Sequence, residues 1–124
     1  YHNHAQEFET IQGQYALDYL YAHTDSGSVQ GELDTYWIQK GGEDPVPYIR
    51  KYAGRVPQMH LKDMDRADGS FAPVGTGIMD VPTLLALAEE IGSAWVIVEQ
   101  DTCKGPSLDA ARTSVENIRA CLDA

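Results

Sequence analysis

The sequence is poor in basic residues and cysteines, and it has no long apolar run. Its 124 residues include 9 Lys and Arg against 19 Asp and Glu, a formal net charge of −10. Binding to the phosphate backbone of nucleic acid needs clustered Lys and Arg, so the composition argues against a nucleic-acid partner. No apolar segment approaches the length of about 18 residues that a transmembrane helix needs, and we expect no membrane span.

The two cysteines, Cys103 and Cys121, form neither a metal-binding spacing nor a disulfide framework. A reducing compartment suits them, and we expect a cytoplasmic location. The first segment, Tyr1–His4 (YHNH), starts without an initiator Met or a signal peptide, as if a strand were already under way. This start predicts that the 124 residues are a piece of a longer chain.

Strand-like and helix-like segments alternate along the sequence. Three apolar runs typical of strands are Val29–Asp34, Val56–His60 and Ala94–Glu99. The helices are predicted over Gly13–Thr24, from the cap Asp44 with Pro45 first and Gly54 after the end, from the cap Asp80 to Gly92, and from the cap Ser107 onward. This alternation predicts an α/β fold with a parallel sheet.

Two of these segments carry further information. The continuously apolar run Trp95–Val98 is typical of a parallel strand that is buried on both faces. The last helix has an apolar stripe at the helical period, formed by Leu108, Ala111, Val115, Ile118 and Leu122.

Each of the three strand-like runs ends on a residue that can bind a metal: Asp34, His60 and Glu99. Polar groups at the carboxyl ends of parallel strands meet at one rim, so we expect these three side chains to converge. Carboxylate and imidazole ligands suit Mn²⁺, Co²⁺, Zn²⁺ or Mg²⁺. For any one of them alone, a solvated or hydrogen-bonded rim residue is the simpler interpretation. The three together favour a metal site.

Neighbouring residues extend this candidate site. His2 and His4 point to the same side of an extended chain, so one could complete the metal shell while the other binds substrate. Alternatively, both lie on a frayed chain end. Lys62, two residues after His60, could pair with a substrate oxygen or be an ordinary surface lysine.

Four further features have weaker interpretations. Trp37 and Phe71, predicted in loops after strands, could stack on a sugar face, although Trp37 could equally be a packing residue. His23 is predicted to cap a carbonyl at a helix end. The segment Gly75–Gly77 resembles half of a phosphate loop, without a preceding strand or a following basic residue.

Five segments in order carry a family resemblance: YHNHAQEF, GELDTYWIQKGGEDP, KYAGRVPQMHLKD, VGTGIMD and VIVEQD. They span nearly the whole chain, which resembles the sugar phosphate isomerase/epimerase group of xylose isomerase-like TIM barrels. The resemblance implies a (β/α)₈ barrel, of which residues 1–124 would form the carboxyl-terminal half with about four β/α units. It also implies one divalent ion held by Asp34, His60 and Glu99.

The resemblance implies a metal-dependent sugar isomerase or epimerase that transfers a proton next to a ketose carbonyl. Glu99 would act as both ligand and base, with His4 or Lys62 as its acid partner. Many members have a further Glu ligand where this chain has His2. An inosose-type dehydratase or a 3-keto-sugar lyase is therefore an alternative, and a catalytically inactive half barrel is a second one.

The expected partners follow from the same resemblance. The substrate would be a small sugar or cyclitol, contacted by Trp37, His2 and Lys62. A half barrel leaves open sheet edges and uncovered apolar surface, so we expect a homo-oligomer or pairing with the missing half. An endonuclease-like DNA-repair role on this fold is disfavoured by the acidic charge.

Overall fold

Three parallel strands form the main sheet of the computed structural model, which describes all of residues 1–124. The strands in chain order are β1 (Thr10–Ile11), β2 (Gln14–Tyr15), β3 (Glu32–Asp34), β4 (Gln58–Leu61), β5 (Asp63–Met64), β6 (Phe71–Ala72) and β7 (Trp95–Val98). The helices are α1 (Ala16–Ala22), α2 (Thr35–Lys40), α3 (Pro45–Arg50), α4 (Val81–Glu90) and α5 (Ser107–Leu122), with a 3₁₀-helix at Ala5–Phe8. The main sheet has the order β3-β4-β7, and β1–β2 and β5–β6 are antiparallel pairs. None of the helices is long and apolar enough to cross a membrane.

The register of the sheet brings the predicted strand ends to one edge. Asp34 pairs with His60 across β3 and β4, and His60 pairs with Ile97 across β4 and β7. Glu99 follows β7 directly, and its N–H lies 3.5 Å from the carbonyl oxygen of Leu61. The predicted convergence of the strand ends therefore results from ordinary parallel pairing.

Alternation along the strands separates the core from the site. Leu33 and Met59 are fully buried in a core of 16 residues, while Asp34 and His60, their neighbours in sequence, point to the other face. Helix α4 covers the core side with apolar residues such as Leu84. Each fully buried Leu or Met contributes about 1.5–3 kcal/mol relative to exposure, so this layer holds the strand ends in place.

Two of the predicted helix starts are confirmed. The Asp44 side chain accepts a hydrogen bond from the N–H of Val46, and Pro45 is the first residue of α3. The Asp80 side chain accepts from the N–H of Thr83 at the start of α4. Both follow the preference of helix N-termini for a side-chain acceptor.

Two predicted helix ends are wrong. The N-cap of α5 is Pro106 and not Ser107. The carbonyl oxygen of Pro106 accepts the first hydrogen bonds of the helix, from the N–H groups of Asp109 and Ala110. Helix α3 ends at Arg50 and does not continue to Gly54. After Arg50 the backbone forms turns with hydrogen bonds between residues three apart, and Gly54 follows them with a φ of +80°. In both cases the sequence signal lies within a few residues of the observed boundary.

The prediction for β7 is also partly wrong. The strand is present and parallel to β4, but Trp95 is 66% exposed and Val98 is 39% exposed. The strand is therefore not buried on both faces. The reason is its position: β7 is the edge of the three-stranded sheet and has no neighbour beyond it. At the amino terminus, the strand predicted for Tyr1–His4 is reduced to a single parallel bridge between His2 and Glu32.

Candidate metal centre

Four side chains bring one ligand atom each to a common point at the carboxyl edge of the sheet. They are His2, Asp34, His60 and Glu99, and their ligand atoms all lie within 4.8 Å of one another. Three of them follow from the strand register, and His2 is added by its bridge to Glu32. His4, the other histidine predicted as a possible ligand, lies outside this set, with its ring centroid 4.8 Å from that of His2.

Asp34 has two roles in the structure. Its Oδ1 accepts the N–H of Trp37 and so caps helix α2, while its Oδ2 lies 3.0 Å from His2 Nε2. The carboxyl group is fully buried. Burial alone would raise the pKa of Asp34, but the neighbouring imidazoles of His60 and His2 and the Trp37 N–H outweigh it and lower the pKa. Asp34 is therefore a fixed carboxylate anion.

The ring of His60 lies between acidic groups on both sides. Its Nε2 is 3.1 Å from Glu32 Oε1, and its Nδ1 is 2.9 Å from Glu99 Oε2 and 3.5 Å from Asp34 Oδ2. The Asp34 carboxylate, helped by Glu32 and Glu99, raises the pKa of His60 against the effect of burial. In the neutral ring, a proton on Nε2 toward Glu32 would leave the lone pair of Nδ1 facing the cluster, an arrangement typical of metal-ligating histidines with a carboxylate behind them.

Two atoms of the cluster support metal binding directly. His60 Nδ1 and Glu99 Oε2 are buried and lack a hydrogen-bond partner of acceptable geometry, although charged neighbours lie close to both. Buried polar atoms without partners are costly, and an ion is one of the partners that removes this cost. The nitrogen and carboxylate donors fit Mn²⁺, Co²⁺, Zn²⁺ or Mg²⁺. The cluster can thus hold one divalent ion.

Lys62 is buried at this edge and is not a surface lysine. Its Nζ lies 2.7 Å from Asp101 Oδ1, 2.8 Å from Glu99 Oε2 and 3.3 Å from Asp34 Oδ2, and the side chain is 2% exposed. Burial by itself would lower the pKa of Lys62, but the adjacent carboxylates of Asp101 and Glu99 raise it. The ammonium group stays charged and balances part of the negative charge of the cluster.

Aromatic rings form one wall of the site. Lys62 Nζ lies 5.6 Å from the centre of the Trp37 ring and 5.4 Å from that of Phe71. The Trp37 ring is also 5.2 Å from the ring of His4. The prediction that both aromatic residues lie in loops is wrong: Trp37 is in helix α2, which starts directly after β3, and Phe71 is in strand β6.

The Gly75–Gly77 segment binds a carboxylate of the chain itself. Asp63 Oδ2 accepts the N–H groups of Gly75 and Gly77, each at 2.9 Å, and Asp63 Oδ1 accepts that of Met79 at 3.0 Å. The amide groups that could have held a phosphate are therefore already occupied, and the phosphate-loop interpretation is wrong. The prediction for His23 is confirmed, since its Nδ1 lies 2.7 Å from the carbonyl oxygen of Tyr19 at the end of α1.

Sequence reasoning missed Glu32 and Asp101 as members of the site. Glu32 is two residues before Asp34 on the same strand face, and that alternation could have revealed it. Asp101 is two residues after Glu99, outside β7, where no periodicity applies. Its contact with Lys62 depends on the path of the loop.

The sequence matches one family model and several curated proteins. Residues 1–121 match the model of the family described as xylose isomerase-like TIM barrel. Among curated proteins, inosose dehydratase from Clostridium tetani is 31% identical over 132 residues, covering 90% of this chain and 43% of the relative. Inosose dehydratase from Clostridium beijerinckii is 29% identical over 120 residues, covering 82% of this chain and 39% of the relative. The chain thus spans about two fifths of the length of these relatives.

Solved structures agree with the sequence relatives. A sugar phosphate isomerase/epimerase from Parabacteroides distasonis superposes with a TM-score of 0.82 at 29% identity, covering 97% of this chain and 44% of that one. A D-tagatose 3-epimerase-like protein superposes with a TM-score of 0.70 at 18% identity over 98% of this chain and 45% of that one, a likeness of fold alone. The relatives together are sugar-processing proteins.

Proposed function

Because the chain belongs to the xylose isomerase-like TIM barrel family, we propose that it carries the metal centre of an enzyme that moves a proton on a sugar or cyclitol. The proton would come from the carbon next to a carbonyl group. The predicted (β/α)₈ fold class is confirmed by this membership, with the chain supplying part of a barrel. The relatives support a sugar-processing enzyme, and the reaction type, the metal and the substrate are our proposal.

The observation that carries the proposal is the set of four ligand atoms within 4.8 Å, which come from the amino terminus and from the ends of three parallel strands. The ligands would be His2, Asp34, His60 and Glu99. Two imidazoles among them favour Mn²⁺, Co²⁺ or Zn²⁺ over Mg²⁺. A divalent ion supplies Lewis acidity, which a carboxylate base needs because a C–H group beside a carbonyl is a very weak acid.

The carboxylates of the site differ in their access to a substrate. The Asp34 side chain is fully buried, whereas that of Glu99 is 43% exposed. Glu99 is therefore the group that would accept the proton from carbon, with one oxygen for the ion and the other for the proton. Lys62, held beside Glu99, would donate a proton or stabilise the oxyanion that develops on the substrate.

The remaining residues would position the substrate. His4 is exposed next to the Trp37 ring, where it can donate a hydrogen bond to a hydroxyl group. Trp37 and Phe71 offer apolar faces suited to the C–H side of a sugar ring. Returning the proton to the same carbon or its neighbour would make the enzyme an epimerase or an isomerase.

Elimination of water is the second candidate reaction, and the names of the curated relatives favour it. Here Glu99 would remove the proton from carbon, and the hydroxyl group on the next carbon would leave with a proton from Lys62. The C–H and C–O bonds break, a C=C bond forms and water is released. Both reactions share the first proton transfer, so they use the same residues.

The test is solvent-deuterium incorporation into candidate ketoses and keto-cyclitols by the full-length protein that contains these residues, loaded with Mn²⁺. Glu99→Gln should slow exchange by at least the ~10²–10⁴-fold that a positioned acid–base group contributes. Glu116→Gln, an exposed glutamate on α5, serves as the matched control. Exchange at the wild-type rate in Glu99→Gln would remove Glu99 from the mechanism. A new enone absorbance without exchange back into the substrate would favour elimination.

A further inference from the structure

A single buried hydroxyl group joins the ends of β3 and β4 beyond their last paired residues. Thr35 is fully buried, and its Oγ1 donates to the carbonyl oxygen of Lys62 at 2.8 Å and accepts from the Lys62 N–H at 3.0 Å. Backbone pairing between the strands stops nearby, with Asp34 opposite His60. The threonine side chain thus takes the place of a strand neighbour for Lys62.

This link connects residues next to two candidate ligands and makes no hydrogen bond to the ligand side chains. Thr35 follows Asp34 directly, and Lys62 comes two residues after His60. The ammonium group of Lys62 in turn contacts Asp34 Oδ2 at 3.3 Å and Glu99 Oε2 at 2.8 Å. The hydroxyl therefore fixes the backbone of the residue that holds two of the ligands.

We infer that Thr35 is a positioning residue of the metal centre, an inference that rests on the proposed function. Without its hydroxyl group, the N–H and C=O of Lys62 lose their partner in a buried place, where unpaired polar groups are costly. The end of β4 then shifts or admits water, and the ligand atoms of Asp34 and His60 separate. Groups behind metal ligands typically change metal affinity by about 10–100-fold when removed.

The chain offers a matched control at Ser114. This buried hydroxyl also joins two backbone groups: it accepts the N–H of Val74 at 2.9 Å and donates to the carbonyl of Ala110 at 2.9 Å. It ties α5 to the segment after β6 and contacts none of the candidate ligands. Ser114→Ala therefore removes the same chemistry with no route to the metal.

The experiment measures Mn²⁺ affinity by calorimetric titration of the metal-free full-length protein, together with thermal unfolding of the same samples. We expect Thr35→Val, which keeps the shape and removes the hydroxyl, to weaken Mn²⁺ binding by about 10–100-fold. Thr35→Ser should restore most of the affinity. Ser114→Ala should lower the unfolding temperature as Thr35→Val does and leave Mn²⁺ affinity unchanged.

Two results would overturn the inference alone: wild-type Mn²⁺ affinity in Thr35→Val, or an equal loss of affinity in Ser114→Ala. A wild-type protein that binds no Mn²⁺ or other divalent ion would instead remove the proposed metal centre, and the role of Thr35 with it. These outcomes differ in which protein fails to bind, so they are distinguishable.

Discussion

Glu32 and His60 lie side by side on the first two parallel strands, with Glu32 Oε1 3.1 Å from His60 Nε2. The other ring nitrogen, Nδ1, faces Glu99 and Asp34. The imidazole thus has one nitrogen beside a protein carboxylate and one that could bind the proposed metal. The register of β3 and β4, with Asp34 opposite His60, sets the backbone positions from which these side chains meet.

Removing the Glu32 carboxylate should therefore weaken metal binding. We expect Glu32→Ala to reduce Mn²⁺ affinity by about 10-fold or more, as for other carboxylates behind a metal-ligating histidine. Glu32→Gln, which keeps an acceptor oxygen, should lose less. Calorimetric titration measures both, with the exposed Glu89→Ala as control. Equal affinity in Glu32→Ala and the wild-type protein would contradict this role.

The candidate ligand His60 predicts metal content. The purified full-length protein should contain close to one divalent ion per chain, and His60→Ala should lose most of it, since the substitution removes one of the four candidate ligands. His23→Ala, at the end of α1, removes a histidine of the same type away from the site. Elemental analysis by mass spectrometry gives the occupancy. Full occupancy in His60→Ala would exclude this residue as a ligand.

Acid stability should depend on Asp18, which lies in α1 and is not one of the candidate metal ligands. Burial acts to raise the pKa of Asp18, but hydrogen bonds from Lys51, Tyr52 and Tyr48 outweigh it and hold the pKa below its ordinary value of 3.8. Because the folded-state pKa is lowered, the carboxylate stabilises the fold above the unfolded-state pKa. That contribution is lost as pH falls through the folded-state pKa.

The test for Asp18 is urea unfolding at a series of pH values. Asp18→Asn should lower the free energy of unfolding at neutral pH by about 1–3 kcal/mol, and the difference from wild type should shrink once the pH is below 3.8. Asp109→Asn, on the exposed surface of α5, should change it little at any pH. A difference for Asp18→Asn that stays constant down to low pH would contradict the linkage.

The loop held by Asp63 should tolerate no side chain at Gly77. A Cβ atom there would overlap the Met64 carbonyl oxygen and the Asp63 carboxylate. We expect Gly77→Ala to destabilise the fold by roughly 1–3 kcal/mol, the usual cost of overpacking. Gly105→Ala meets no atom and serves as the control. Calorimetric unfolding temperatures that match between the two variants would contradict this packing.

The open edge of the sheet predicts association. An apolar groove of about 600 Å³ lies beside β7, lined by residues of α4, β7 and α5 that include Val96, Val98 and Leu122. We propose that another part of a barrel covers it, from the same polypeptide or from a second copy. The isolated 124-residue chain should therefore dimerise or aggregate in light scattering. A stable, well-dispersed monomer of 13.7 kDa would contradict this.

The parts of the site that follow from strand periodicity could be predicted from the sequence. Asp34, His60 and Glu99 stand at the ends of apolar runs, and parallel pairing then brings them together whatever the loops do. The roles of Thr35 and Asp63 could not be predicted in this way. Their hydrogen bonds join residues 27 and up to 16 positions apart through loop geometry, which no local pattern encodes.

Exposure of β7 was unpredictable for a different reason. Its apolar run is typical of a strand buried on both faces, whereas here β7 is the last strand of the three-stranded sheet and is partly exposed. The short helix α2 was missed because its start coincides with a strand end, and Asp34 serves both.

The double use of Asp34 affects how relatives of this protein should be compared. A lineage that had lost the chemistry would still be under pressure to keep an aspartate here, since the first turn of the following helix depends on its other oxygen. The presence of this aspartate in a distant sequence is thus weak evidence that the sequence encodes an active enzyme. His60 caps no helix, so its retention or replacement is the better marker for tracing where in the family the activity survives.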